Sequence, residues 1–155
     1  MSQIESDREL LDYSNKFDNN VKFLTKIYVM RNKGTFDEES ALLSQRRLLT
    51  LMKMYPMYII KTLGPYLLRY GKFIQVQDFD KLLSMNFESD TKEFLQSDAA
   101  KKNNTNAKSV SEVMEFVKNI YKMSSKKERE KINETLTDML SLYAQFAIRV
   151  KTISS

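Results

Sequence analysis

The side chains that could do chemistry in this chain are cations and tyrosines concentrated in one window. Residues 40–77 contain no acidic residue, yet they hold six of the chain's 25 lysines and arginines and four of its eight tyrosines. Cations that engage phosphates, beside tyrosines that stack on bases, are the chemistry of nucleic-acid binding. Lysine and arginine stems can equally cover apolar neighbours on a solvated helix face. Because the window combines basic, apolar and tyrosine side chains, we expect it to form a surface that binds a partner.

We predict that the partner-binding residues lie in segment 46–73. Methionine side chains adapt to irregular contacts, and Met52 lies within this group of methionines and tyrosines. The predicted residues are the cations, methionines and tyrosines Arg46, Arg47, Lys53, Met54, Tyr55, Met57, Tyr58, Lys61, Tyr66, Arg69 and Tyr70. Another protein is the expected partner. Nucleic acid is the alternative and adsorption to anionic lipid the third, both through the same surface.

The rest of the composition excludes several chemistries. The chain has no cysteine, and therefore no disulfide, zinc-thiolate site or thiol nucleophile. It has no histidine, so the usual general base near neutral pH is missing. Asp78, Asp80, Glu88 and Asp90 lack the dense run of oxygen ligands of a calcium loop, and helix capping accounts for Asp78 and Asp90. We expect a non-catalytic protein without cofactor or metal.

Length and composition favour one all-α domain spanning residues 1–155. The chain is 42% hydrophobic and 29% charged, and it has three glycines and two prolines, too few for the many turns of a β-sandwich.

The first residues are polar and acidic and give no secretory signal, so we expect the protein not to be secreted. Residues 48–68 are apolar and of spanning length, but two internal lysines and two prolines argue against a transmembrane segment.

The predicted elements of the N-terminal part, residues 1–96, begin with a capping box at residues 6–9 and a helix that stops near Gly34. The next helix, 37–54, has a very wide apolar face, which predicts a central position. Pro56 must interrupt it, and Gly64-Pro65 predicts a second break. We thus expect helical pieces at 37–54, 57–63 and 65–73. On one continuous helix, Arg46, Arg47, Thr50, Lys53 and Lys61 would share a third of the circumference.

The C-terminal part is predicted to be a long helical hairpin. Short helices near residues 78–86 and 91–96 precede an exposed loop at 97–108. Capping boxes at Ser109–Glu112 and Ser125–Glu128 then open two helices within 109–155, with the turn at Met123-Ser124. The expected fold is an irregular all-α bundle of six or seven helices.

One stretch resembles a known group of proteins. Gly64-Pro65-Tyr66-Leu67 with Tyr70, followed by Asp78-Phe79-Asp80, resembles a motif in small helical proteins of the large nucleocytoplasmic DNA viruses. The resemblance covers residues 48–95. It implies a virus-encoded minor component of an icosahedral particle and brings no catalytic residues. From it we expect a structural protein of the virion or host cytoplasm that binds capsid proteins or its own copies.

Overall fold

The computed structural model describes residues 3–76, 79–84 and 107–154, and every regular element in these ranges is an α-helix. The all-α fold class is therefore confirmed. The helices are α1 (Gln3–Arg31), α2 (Glu38–Met54), α3 (Tyr58–Leu68), α4 (Gly71–Gln75), α5 (Phe79–Ser84), α6 (Ala107–Lys122) and α7 (Lys126–Ser154). The predicted helix at 91–96 and nearly all of the predicted loop at 97–108 lie outside the described residues.

The predicted capping box before α7 is formed. The Ser125 N–H donates to Glu128 Oε1 at 3.2 Å, and the Glu128 N–H donates to Ser125 Oγ at 3.3 Å. The other two starts are wrong, because α1 already begins at Gln3 and α6 at Ala107. No proline or glycine lies between each observed helix start and its serine, so the sequence does not prevent either helix from beginning earlier. In α1, Glu9 instead forms an ion pair with Arg149 of α7.

Pro56 interrupts the helix as predicted. The Tyr55 N–H still bonds to the Leu51 carbonyl, Met57 then adopts a left-handed conformation with φ of 69°, and α3 begins at Tyr58. The predicted break at Gly64-Pro65 is wrong, since α3 runs through both residues to Leu68. A proline inside a helix removes one hydrogen bond. Eight of the eleven residues of α3 are buried, and that packing offsets the loss.

Helix α1, not α2, is the element around which the others pack. It contacts α2, α3, α6 and α7, and Phe17, Val21 and Leu24 on it are fully buried. The predicted central position of α2 is wrong, because Ala41 and Leu48 are its two buried residues. Part of the wide apolar face of α2 is exposed to solvent instead of being packed.

The C-terminal helices α6 and α7 form the predicted hairpin, which a polar network ties to α4. The Tyr121 hydroxyl donates to Asn133 Oδ1 at 3.1 Å, and Asn133 Nδ2 donates to the Ile74 carbonyl at 2.6 Å. Arg129 Nε donates to the Tyr121 carbonyl at 2.6 Å close to the turn. Asn133 is 2% exposed, and both the oxygen and the nitrogen of its buried amide are hydrogen-bonded inside the fold.

Residues 48–68 are divided between two helices. Within the ranges that the structure describes, no helix combines the length and hydropathy needed to cross a membrane.

Candidate protein-binding surface

The outward side of α2 exposes large apolar side chains. Leu43 is 56% exposed, Met54 is 60% exposed and the adjoining Tyr55 is 53% exposed. At about 100° per residue, Leu43, Thr50 and Met54 project within about 40° of one another. They lie opposite Ala41 and Leu48, the residues that bury α2 against the core. We call Leu43, Thr50, Met54 and Tyr55 the α2 outer face.

A row of charged side chains runs along one flank of the α2 outer face. Glu39, Arg46 and Lys53 follow one another at intervals of seven residues, and all three are exposed. None of their side chains forms a hydrogen bond or ion pair with another described residue. The Thr50 hydroxyl donates to the Arg46 carbonyl at 2.8 Å. Because its hydroxyl is used within the helix, Thr50 adds little polarity to the outer face.

The bend at Pro56 closes this surface at its C-terminal end. The rings of Tyr55 and Tyr58 lie 6.2 Å apart at an interplanar angle of 50°. Met57 and Tyr58 are half-buried and pack against the core, whereas Tyr55 projects outward. Predicted residues Met54 and Tyr55 are therefore accessible, while Met57 and Tyr58 mainly hold the bend in place.

Two predicted partner-binding residues, Tyr66 and Tyr70, are placed in the core instead. Tyr66 is fully buried and Tyr70 is 3% exposed. The Tyr70 hydroxyl donates to the Tyr66 hydroxyl at 3.2 Å, and the rings meet edge to face at 5.3 Å. The prediction that they contact a partner is wrong, because both rings are packed in the core, Tyr66 from α3 and Tyr70 from the turn that follows it.

The predicted cations do not form one face. Because α2 ends at Met54, Lys61 lies on α3 and Arg69 lies beyond the end of α3. A shared face from Arg46 to Lys61 would need one unbroken helix, and the predicted interruption at Pro56 divides it. Arg46 and Lys53 remain exposed together on α2, Arg47 is half-buried, and Lys61 and Arg69 are exposed.

Sequence reasoning missed Phe36, which is 101% exposed. It lies in the turn between α1 and α2, where Gly34 has a φ of +79°. The turn is well bonded: Thr35 Oγ1 donates to the Asn32 carbonyl at 2.7 Å, and the Gly34 N–H donates to Glu38 Oε2 at 3.1 Å. An aromatic ring alone between helix-stop and helix-start signals is the feature that could have revealed it.

Two of the concave regions outside the α2 outer face lie between α1 and a neighbouring helix. Between α1 and α2, a groove of about 450 Å³ contains Asp18, whose buried carboxyl has a pKa raised to about 6 by desolvation, partly opposed by Lys22. Asp18 Oδ1 and Ser14 Oγ have no hydrogen-bond partner among the described residues. The second groove, about 410 Å³ between α1 and α7, is mainly apolar and bordered by the ion pair of Arg31 with Glu128.

Neither groove assembles a catalytic or metal-binding set. Across residues 3–76, 79–84 and 107–154, no group of three or more acidic, histidine or cysteine side chains could hold a metal ion. The chemistry that the α2 outer face itself offers is apolar contact with charged groups beside it. The chain matches no protein-family model, no curated protein and no solved structure at a significant level.

Proposed function

We propose that this protein is a non-catalytic helical interaction protein that binds another protein through the α2 outer face. The observation that carries the proposal is the exposure of Leu43 and Met54 on a 17-residue helix whose opposite side is packed, and of Tyr55 directly after it. Large apolar side chains exposed along one side of a helix are typical of helix-in-groove or helix-on-helix recognition. Flanking cations would orient the partner without providing most of the binding energy.

The absence of cysteine from the chain gives a direct test. A single cysteine at Leu43 or at Tyr55 can carry a photo-crosslinker, and a cysteine at exposed Lys127 on α7 is the matched control. We expect protein adducts from the two α2 positions, reduced when Met54→Ser is added, and none of the same adducts from position 127. Equal labelling at all three positions would remove support for a specific surface.

Nucleic-acid binding, the leading alternative, separates from protein binding by its response to salt and to charge. Replacing Arg46, Arg47 and Lys53 by serine should abolish binding to nucleic acid, and that binding should weaken steeply as salt is added. A protein contact centred on Leu43 and Met54 should persist in the same variant and at the same salt concentration, because its main contribution is apolar.

The resemblance of residues 48–95 to small helical proteins of large nucleocytoplasmic DNA viruses supports a narrower proposal. In it, the protein is a minor component of an icosahedral particle, located in the virion or the host cytoplasm, and its partners are capsid proteins or further copies of itself. Mass spectrometry of purified particles tests this directly: a fixed ratio of this chain to the major shell protein supports it, and loss of the chain on purification contradicts it.

A further inference from the structure

We propose that the N-terminal half of α2, with Leu43 of the α2 outer face at its centre, pairs with the same segment of a second copy of this chain, as two antiparallel α2 helices related by a two-fold axis. The inference rests on the proposed function and names the partner. Its basis is the distribution of charge along α2, which is acidic at its N-terminal end and basic from Arg46 onward. A helix with this asymmetry is complementary to itself when reversed.

The flanking row fixes which charges meet. In an antiparallel pair around a two-fold axis, side chains on the same flank of each helix face one another. Glu39 and Arg46 lie on the same flank, one heptad apart, and both are exposed. Opposing Glu39 to Arg46 of the second copy forms two identical ion pairs. Leu43 then lies next to the symmetry axis and contacts its own counterpart.

This register also gives Phe36 a place to pack. With Glu39 opposite Arg46, the turn that holds Phe36 lies opposite Leu49 and Thr50 of the second copy. Phe36 is fully exposed in the single chain, so the contact that it makes at each end of the interface covers apolar surface that is otherwise open to water. Burial of its apolar side chain favours the dimer.

The other register that pairs opposite charges is less favourable. If Glu39 is opposed to Lys53 of the second copy, Arg46 faces Arg46 at the symmetry axis. Like charges placed directly opposite each other repel, as they do on neighbouring helix positions. The Glu39–Arg46 register avoids that contact and brings Phe36 into the interface. The geometry therefore favours a staggered pair, offset so that the α1–α2 turn takes part.

The interface is small, and the dimer should be weak on its own. About ten residues of each α2 overlap, which is about 15 Å of helix. Interfaces that bury less than about 1,200 Å² in total belong to transient complexes. We expect a reversible monomer–dimer equilibrium in the micromolar range.

Analytical ultracentrifugation of the full chain from about 10 µM to about 1 mM tests the pairing. We expect concentration-dependent dimers. Arg46→Glu or Glu39→Arg alone should raise the dissociation constant about tenfold, since each change disrupts two symmetric pairs. The double variant Glu39→Arg/Arg46→Glu should restore the wild-type constant within about threefold. Lys127→Glu on α7, which changes the charge as Arg46→Glu does, should leave it unchanged.

Phe36→Ser is a variant that separates packing from charge. Because Phe36 is fully exposed, its loss should not affect the fold, but it should weaken the dimer. A chain that stays monomeric at about 1 mM, or a double charge swap that fails to restore the dimer, overturns the inference. Crosslinks from Leu43 to a different protein, with a monomeric chain, would retain the proposed function and reject self-pairing.

Discussion

Gly64 of α3 faces the ring of Tyr143 on α7 so closely that no side chain fits between them. A Cβ atom built on Gly64 would lie 2.2 Å from Tyr143 Cδ1 and 2.6 Å from Cγ. The glycine therefore allows α3 and α7 to approach, and Pro65 follows it without ending the helix. This contact gives the Gly64-Pro65-Tyr66 motif a packing role in the core.

Gly64→Ala should destabilise the protein by about 1–3 kcal/mol, because an extra methyl group in a packed contact displaces the Tyr143 ring. Urea denaturation measures the change. Gly71→Ala is the matched control: its Cβ would lie 3.7 Å from Leu140 Cδ1, an ordinary contact, within helix α4. The control should be neutral or stabilising by up to about 1 kcal/mol. Tyr143→Leu should lessen the cost of Gly64→Ala. Equal effects at both glycines would contradict the close-approach argument.

Asp18→Asn should stabilise the protein at neutral pH. Burial raises the pKa of Asp18 to about 6, from about 3.9 in an unfolded chain. Between those values the folded state retains a proton that the unfolded state releases, so the free energy of unfolding falls as pH rises from about 4 to about 6 and stays lower above it. The difference corresponds to at most about 3 kcal/mol, and solvent contact in the groove reduces it to about 1–2 kcal/mol.

The measurement is the free energy of unfolding of wild type and Asp18→Asn between about pH 4 and pH 7.5. The difference between the two curves isolates Asp18 from other acids such as Glu9. Asp12→Asn serves as control, since Asp12 is exposed and forms a surface ion pair with Lys16. Its effect should stay below about 0.5 kcal/mol across the range. Parallel curves for wild type and Asp18→Asn would show that the buried carboxyl carries no such penalty.

Asn133→Ala should cost about 2–4 kcal/mol, because it removes the hydrogen bonds of Asn133 to the Tyr121 hydroxyl and the Ile74 carbonyl and opens a small cavity. Tyr121→Phe removes one of the same hydrogen bonds and should cost about 1 kcal/mol. Thermal unfolding by circular dichroism measures both. The exposed neighbour Glu134→Ala is the control and should change stability by less than about 0.5 kcal/mol. If all three variants unfolded alike, the network would be unimportant for stability.

Tyr66→Ala and Tyr55→Ala should affect different properties. Tyr66 is fully buried, so its truncation should cost about 3–5 kcal/mol of stability. Tyr55 is 53% exposed, so its truncation should leave stability within about 0.5 kcal/mol and weaken partner binding. Denaturant titration and the crosslinking assay together distinguish the two. If the Tyr66→Ala chain were stable but no longer bound the partner, Tyr66 would be a contact residue after all.

Local patterns in the sequence determined the class of fold and several element boundaries. The scarcity of glycine and proline indicated helices, Pro56 marked the end of α2, and Ser125 with Glu128 marked the start of α7, because each signal acts within four residues of chain. The apolar and charged side chains of α2 were also visible, and with them residues such as Met54, Tyr55 and Arg46.

Tertiary structure decided which apolar side chains are covered. Helical periodicity identifies an apolar face but not the number of neighbouring elements that pack on it. Helix α2 was therefore expected at the centre of the fold but lies at its surface. Tyr66 and Tyr70 were expected at the surface but lie in the core. Gly64-Pro65 was expected to divide two helices, because glycine closes and proline opens a helix by local geometry. The burial of α3 and the contact of Gly64 with Tyr143, which keep the helix continuous, are gained across the fold. The exposure of Phe36, and with it the proposed edge of the α2 interface, likewise depends on what the rest of the chain leaves uncovered.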